Sequence, residues 1–157
     1  MEDWETRLRR AGIELPEPGR PVGAYVPALE AGGLVYTSGQ LPWVAGRLAW
    51  TGRVGEQLSV GEGREAARAC VLNALGVVRQ ALGGLGRVSR AVRVVGYVQA
   101  APAFHDHAQV VNGASELLLE LFGEQGAHVR SAVGVASLPL DAPVELELVL
   151  ALGGPAR

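Results

Sequence analysis

Lysine is absent from this 157-residue chain, in which all 14 basic residues are arginine. Without lysine there is no amine for a Schiff base with pyridoxal phosphate or a carbonyl substrate, and no P-loop lysine. Anion binding must then use arginine and backbone amides, which suit planar carboxylates. The base composition of the genome is enough to explain the use of arginine in place of lysine. The absence of lysine therefore excludes the lysine-dependent reactions above but does not point to any particular activity.

Cysteine is almost as scarce, since Cys70 is the only one, which excludes an intrachain disulfide and a cysteine metal cluster. The three histidines lack a metal-ligand spacing. His105 and His107 would diverge in an extended segment, and we expect Asp106 between them to cap a helix. We therefore predict no metal site and no cofactor.

Clusters of basic residues and long apolar runs are also missing. A net charge of −2 with scattered arginines disfavours a nucleic-acid partner. No apolar run approaches the length of a membrane span, and the polar N-terminus MEDWETRLRR is unlike a signal peptide. We expect a cytoplasmic protein without a membrane partner.

The chain is predicted to divide into residues 1–20, a helix and an extended arm, and residues 21–157, one domain. Trp4, Leu8 and Ala11 have helical spacing, and the prolines of IELPEPGRP then forbid a continuous helix. The length and the 48% apolar fraction suit one folded domain with a substantial core.

The domain reads as β-β-(β)-α-β-α-β-β. Ser59 and Glu62 form a capping-box pair before a helix that ends at Gly83, and Asp106 with Gln109 is predicted to cap a second helix that closes at Gly123. Strands are predicted at Val22–Leu29, Gly33–Pro42, Ala91–Gln99, Val129–Ala136 and Val144–Leu152, with a turn at Ala31–Gly32 and a short strand in GRLAWTGRVG. This order predicts an α+β sandwich of two layers, with one mixed sheet and two helices on one face.

The two C-terminal strands carry an unusual combination of side chains. Arg130 shares a face with the small residues Ala132 and Gly134, whereas alternate valines and leucines line the other faces. We therefore assign Arg130, together with Glu145 and Glu147, to the sheet face that no helix covers. Small neighbours would leave room there for something other than this chain's own side chains.

A simple hairpin between these strands would set Arg130 far from Glu145. Glu145 would lie near Ala136, six residues from Arg130, which is roughly 20 Å at about 3.3 Å per residue. A shared site then needs Arg130 from one chain and Glu145 from a neighbour, or strands that are not paired directly.

The segments GAYVPAL, VYTSGQLP, VLNAL and VRSAVGVASLPLDAPVELELVLAL, in this order, resemble the Rid (reactive intermediate deaminase, or YjgF) family from Pro21 to Leu152. The resemblance implies a chorismate-mutase-like α+β fold and a homotrimer that packs through the open sheet faces, with sites between subunits. It also implies hydrolysis of enamines and imines such as 2-aminoacrylate to 2-oxo acids and ammonia.

The resemblance assigns roles to individual residues. Arg130 matches the arginine that binds the substrate carboxylate, and Glu145 matches the glutamate that positions the attacking water. The other substrate-binding positions that it implies are Tyr25, Ser38, Gly39, Asn112, Ala132 and His128. This chain departs from the common pattern in having His128 in place of proline, Ala132 in place of cysteine and Gly134 in place of a larger residue.

Other interpretations stay open at this stage. Arg130 could be a structural strand arginine paired with Glu145 or Glu147, and Ser38 is not in a nucleophile elbow. A non-catalytic trimer that binds small carboxylates or 2-oxo acids would use the same arginine. An endoribonuclease is the third candidate, which the acidic balance and the absence of lysine disfavour.

Overall fold

The computed structural model describes residues 2–21 and 23–154. Its helices are α1 (Trp4–Arg10), α2 (Val60–Leu82) and α3 (His107–Phe122), with short 3-10 turns at Gly123–Gly126 and Pro139–Asp141. Its strands are β1 (Ala28–Ala31), β2 (Leu34–Thr37), β3 (Trp43–Val44), β4 (Arg47–Leu48), β5 (Val88–Gln99), β6 (Val129–Val135) and β7 (Val144–Leu152).

Five strands form one mixed sheet in the order β1-β2-β7-β5-β6. Every neighbouring pair is antiparallel except β5 and β6, which are parallel. The helix α3 connects these two, as a parallel pair requires a crossover. Helices α2 and α3 pack on one face of the sheet, so the predicted two-layer α+β architecture is confirmed.

The core lies between the sheet and the two long helices. Alternate side chains of β7, including Leu146, Leu148 and Leu150, are fully buried beneath α2, whose stripe includes the buried Cys70. At the edge of this layer α1 packs on α3, where the indole of Trp4 stacks on the ring of Phe122 with centroids 3.5 Å apart. In residues 2–21 and 23–154 no helix is long and apolar enough to cross a membrane.

The ends of the helices confirm one capping prediction and contradict another. At α2 the Ser59 hydroxyl accepts from the Glu62 amide at 3.1 Å, and the Glu62 carboxylate accepts from the Ser59 amide at 2.8 Å. Asp106 stands before α3, but its side chain caps no amide, so the predicted pairing with Gln109 is wrong. Its backbone (φ −91°, ψ 36°) is not the extended conformation that aims an N-cap side chain at the first helical amides.

The first hairpin is shorter than the sequence predicted. Its strands begin at Ala28 and Leu34, while residues 23–27 form bends around Pro27; the predicted start at Val22 lies outside the described residues. The turn falls at Gly32–Gly33, where φ values of +59° and +77° suit a tight β-hairpin. The predicted third strand is not in the main sheet, because β4 pairs only with β3 in a separate hairpin.

Candidate functional site

Arg130 lies on the helix-covered side of the sheet, which contradicts its predicted place on the open face. In the parallel register Arg130 is opposite Val94, which is fully buried under the helices. The open face of β6 instead carries Val129 and Val133, which are 66% and 43% exposed. The prediction assumed that the valines of this strand face the core. It was wrong because β6 is an edge strand whose valines point away from the core.

The small residues near Arg130 make room for this chain's own helix α3, so the expected empty space is not there. A Cβ on Gly96, the partner of Ala132 on the next strand, would meet Val111 of α3 at 2.5 Å. A Cβ on Gly134 would overlap the imidazole of His107, whose Cδ2 would be 3.1 Å away. Small side chains here let α3 approach the sheet edge closely.

Three neutral groups of α3 hold the Arg130 guanidinium. Its Nη1 donates to the Asn112 Oδ1 at 2.8 Å and to the Ser115 Oγ at 3.1 Å, and its Nη2 donates to the carbonyl of Ala108 at 3.3 Å. These bonds use three of the five N–H donors of the group. The Nε–H and one Nη2–H are left over, and these form the side of the guanidinium that can bind a carboxylate with two bonds.

No carboxylate in the described residues pairs with Arg130 within 4.0 Å. Glu145 and Glu147, the partners considered from the sequence, project from the opposite face of the sheet, because Glu145 is opposite Tyr97 and Glu147 is opposite Val95. The Tyr97 hydroxyl donates to Glu147 at 2.9 Å, which raises the pKa of Tyr97. A structural ion pair therefore does not account for Arg130.

His128 is linked to Arg130 by hydrogen bonds through Ser115. Its Nδ1 lies 2.7 Å from the carbonyl of Gly126, and its Nε2 lies 2.9 Å from the Ser115 Oγ. Because a carbonyl can only accept, Nδ1 must carry the proton, and the Ser115 hydroxyl donates to Nε2 when the ring is neutral. Burial lowers the pKa of His128, and the Arg130 charge adds to that effect. The ring has no nitrogen left for a substrate.

Glu145 forms a second cluster with the loop after β2. Residues Ser38, Gly39 and Gln40 run beside it, and Gln40 bridges to Leu146 in both directions at 2.8 and 3.0 Å. The Ser38 hydroxyl donates to the Pro27 carbonyl at 3.3 Å and accepts from the Gln40 side chain at 3.2 Å, so it shapes the loop. Gly39 has no side chain, and a Cβ there would lie 2.7 Å from the Glu145 Cδ.

The Glu145 carboxylate is half-buried and receives no hydrogen bond from any residue that the structure describes. Burial raises its pKa, and the nearby charge of Glu147 raises it further. A carboxyl group with a raised pKa exchanges protons nearer to neutral pH than an ordinary glutamate does. This is the behaviour expected of a group that helps to move protons.

Glu145 opens into a cleft of about 980 Å³. Tyr25, half exposed in the bends before β1, stands on its wall with Trp43 and Leu140. The predicted arm also borders the cleft, through residues 16–21. Buried Gln99 fixes the loop of Leu140 by bonding to Gly52, Asp141 and Leu138 at 3.1, 2.7 and 2.7 Å.

The two clusters lie apart within one chain. The strands β6 and β7 do not form the simple hairpin considered from the sequence, because β5 lies between them. The structure instead matches the other arrangement considered there, in which the two strands are not paired directly. Two strand spacings and three residues of offset separate the Cα atoms of Arg130 and Glu145 by about 14 Å. Their side chains also point to opposite faces, so one small substrate cannot touch both in a single chain.

Of the predicted substrate-binding residues, Asn112 and His128 therefore stand with Arg130, and Tyr25, Ser38 and Gly39 stand with Glu145. Ala132 packs against the core beside Arg130. Ser115 was not among the predicted site residues, and its only signal is a polar side chain three positions after Asn112, on the same helix face. In the part of the chain that is described, no three His, Cys, Asp or Glu side chains gather into a metal site.

The protein is thus a small two-layer α+β domain. Arg130, at the sheet edge, has no carboxylate partner among the described residues, and Glu145 lies in a cleft on the other face. The family model described as "YjgF/chorismate_mutase-like, putative endoribonuclease" matches residues 5–152. Protein TCP17 of Trypanosoma cruzi is 43% identical over 146 residues, which are 92% of this chain and 91% of that protein. The chain belongs to this YjgF/Rid family, and the resemblance seen in its sequence is confirmed.

Two solved structures are similar over most of their length. The crystal structure of a "putative endoribonuclease" from Shewanella oneidensis MR-1 is 36% identical, with a TM-score of 0.91 over 96% of this chain and all of that one. The structure of E. coli TdcF with bound serine is 25% identical, with a TM-score of 0.62 over 86% of this chain and 92% of its own.

Proposed function

We propose that the protein hydrolyses small carboxylate-bearing enamines and imines, of the 2-aminoacrylate type, to 2-oxo acids and ammonia. The observation that carries this proposal is the state of Arg130. Its guanidinium is half-buried and bound by neutral groups of α3, and among the described residues nothing accepts from its Nε–H or from its second Nη2–H. Even partial burial of a cation without a counterion is unfavourable, and a ligand carboxylate would both neutralise the charge and match the guanidinium geometry.

The reaction needs few groups. The enamine tautomerises to an imine, water adds to the electrophilic carbon, and the tetrahedral adduct expels ammonia as the carbonyl forms. Arg130 would bind the carboxylate, while Glu145 would orient the water and move protons between oxygen and nitrogen. The raised pKa of Glu145 suits that exchange. TdcF was solved with serine bound, and serine carries the same α-carboxylate.

The two clusters would meet between subunits. In this proposal the chain forms a homotrimer through its open sheet face, and each site joins Arg130 of one subunit to Glu145 of the next. The exposed apolar residues on this face support such a contact: Leu29, Tyr36, Val129 and Val133 are all at least 43% exposed in the single chain. A ring of three identical contacts closes without leaving either half-site unused.

The direct test couples the protein to a pyridoxal-phosphate dehydratase that releases 2-aminoacrylate from serine, and follows pyruvate. Wild type should accelerate pyruvate release, whereas Arg130→Ala should not. Two charge-assisted bonds of about 1.5–3 kcal/mol each predict a rise in KM of about 10²- to 10⁴-fold. Arg68→Ala, which removes a half-exposed arginine from a surface ion pair with Glu120, is the control and should behave as wild type.

Mixing two inactive variants tests whether the site is shared. If each site takes Arg130 and Glu145 from different subunits, co-refolded Arg130→Ala and Glu145→Ala chains should recover about a quarter of the wild-type sites. If both residues act within one chain, no mixture will be active. Recovery in the mixture with neither variant active alone would support the shared site.

The same assays separate the other candidates. A protein that binds pyruvate through Arg130 but never accelerates its release would be a carboxylate-binding module. The word endoribonuclease in the family description makes RNA cleavage worth including. Cleavage of RNA that survives Arg130→Ala and falls steeply with salt would replace the deaminase proposal.

A further inference from the structure

We infer that Ser115 and His128 are positioning residues that hold the Arg130 guanidinium in the orientation that receives a carboxylate. The inference rests on the proposed function for its substrate, but its geometry belongs to this chain alone. It concerns one continuous set of hydrogen bonds from the carbonyl of Gly126 through His128 and Ser115 to Arg130.

The direction of these bonds follows from the Gly126 carbonyl. It accepts from Nδ1 of His128, which leaves Nε2 as an acceptor for the Ser115 hydroxyl. With its proton committed to His128, the Ser115 oxygen turns a lone pair toward Nη1 of Arg130 at 3.1 Å. His128 thus sets the orientation of the hydroxyl that holds the guanidinium.

Arg130 depends on this support because it stands on an edge strand with no carboxylate beside it. Asn112 and Ser115 occupy Nη1, and Ala108 binds Nη2 on the side toward α3. Together they hold the guanidinium at both Nη atoms, and none of these three bonds uses the Nε–H. A long arginine side chain would otherwise lose rotamer freedom on binding a ligand, and this preorganisation avoids that loss.

The substitution pattern that follows is specific. Ser115→Ala should raise the KM for the enamine and the Kd for pyruvate by roughly 2- to 10-fold, with kcat nearly unchanged, since it removes one of three bonds to the guanidinium. His128→Ala should give a similar change. The double variant should equal either single one, because His128 acts through Ser115.

Matched variants make this pattern interpretable. His128→Gln keeps an uncharged acceptor and should restore most of the affinity that His128→Ala loses. His105→Ala removes an exposed histidine outside the network and should have no effect. If the two alanine substitutions prove additive, or if glutamine fails to restore affinity while thermal unfolding is unchanged, the positioning role is overturned.

A readout without turnover separates this inference from the proposed function. Nitrogen-15 NMR of the histidines should find His128 neutral at pH 7 with the proton on Nδ1, and Arg130→Ala should raise its pKa. A protonated ring or a proton on Nε2 at pH 7 would overturn the positioning role even if the enzyme deaminates. The expected tautomer and response to Arg130→Ala, in a protein without deaminase activity, would leave the network standing and overturn only the reaction.

Discussion

Replacing Gly39 with alanine should displace Glu145 while the fold is kept. The new Cβ would lie 2.7 Å from the Cδ and 3.0 Å from the Cγ of Glu145, against an ordinary contact of at least 3.4 Å. The backbone at residue 39 has no left-handed strain, so alanine is otherwise acceptable there. The carboxylate must therefore retreat by about 1 Å, a displacement that can lower a rate by about 10²-fold.

The expected signature is a fall in kcat of about 10²-fold with little change in KM. KM should change little because the proposed carboxylate-binding group is Arg130, which belongs to the other half of the site, whereas Gly39 acts on Glu145. The assay is coupled pyruvate release, with thermal unfolding measured beside it. Because only the end of a flexible side chain must move, the midpoint should stay within about 3 °C of wild type.

Gly86→Ala is the matched control, since a Cβ at Gly86 meets no atom within 4 Å and its backbone is also free of left-handed strain. It should leave both kcat and stability unchanged. A Gly39→Ala protein with the wild-type kcat would refute the reasoning, because the position of Glu145 would then not matter. A loss of many degrees in the unfolding midpoint would show that the backbone, not the carboxylate, had yielded.

Two further substitutions test assembly and pH dependence. Val133→Glu puts a charge on the open face beside Tyr97, so it should break the proposed trimer in mass measurements. Leu119→Glu alters a similarly exposed residue on α3 and should leave that assembly intact. Intact trimers of both variants would refute the assignment of the interface. His128 has a lowered pKa in the folded chain, so its unfolded form takes up the proton first, and wild type should lose stability as the pH falls below about 6.5. In denaturant titrations His128→Gln should lose less over that range, and equal slopes for the two proteins would contradict the burial of a neutral ring.

Much of the fold was readable from local patterns. The stripe of α2, the capping box at Ser59 and the left-handed Gly83 all follow from side-chain spacing and backbone chemistry within a few residues. The same local reasoning failed at Asp106, whose identity suits a cap but whose backbone does not. An aspartate before a helix is able to cap it. Whether its side chain does so depends on the backbone conformation that the preceding loop imposes.

The faces of β6 could not be assigned from alternation alone. A period of two shows that Arg130 and Ala132 share a face, but it does not say which face meets the helices. The connection supplied a better signal: β5, α3 and β6 form a crossover unit, and such units join parallel neighbours. Since β7 pairs with the other edge of β5, β5 lies between β6 and β7, and the hairpin that the short loop around Pro139 suggested does not form.

The candidate site was only partly predictable for a related reason. Arg130 and Glu145 stood out by resemblance, and Gly39 is explained once its contact with Glu145 is known. Ser115 was missed because one serine in a helix is a weak signal, and its importance depends on Arg130, which stands in a strand 15 residues further on. A single sequence gives little indication of contacts between distant segments when the residues involved are common polar ones.

The division of the site between two faces has a consequence for the isolated chain. Among the residues that the structure describes, no carboxylate pairs with Arg130 and no group donates to Glu145. The two side chains cannot satisfy each other because they lie on opposite faces of the sheet. A substrate with a carboxylate at one end and a C=N bond that water attacks at the other would span both halves once a second chain is in place. In the proposed trimer, assembly would therefore bring together the carboxylate clamp and the proton-transfer group, which would make oligomerisation a precondition of catalysis in addition to a source of stability.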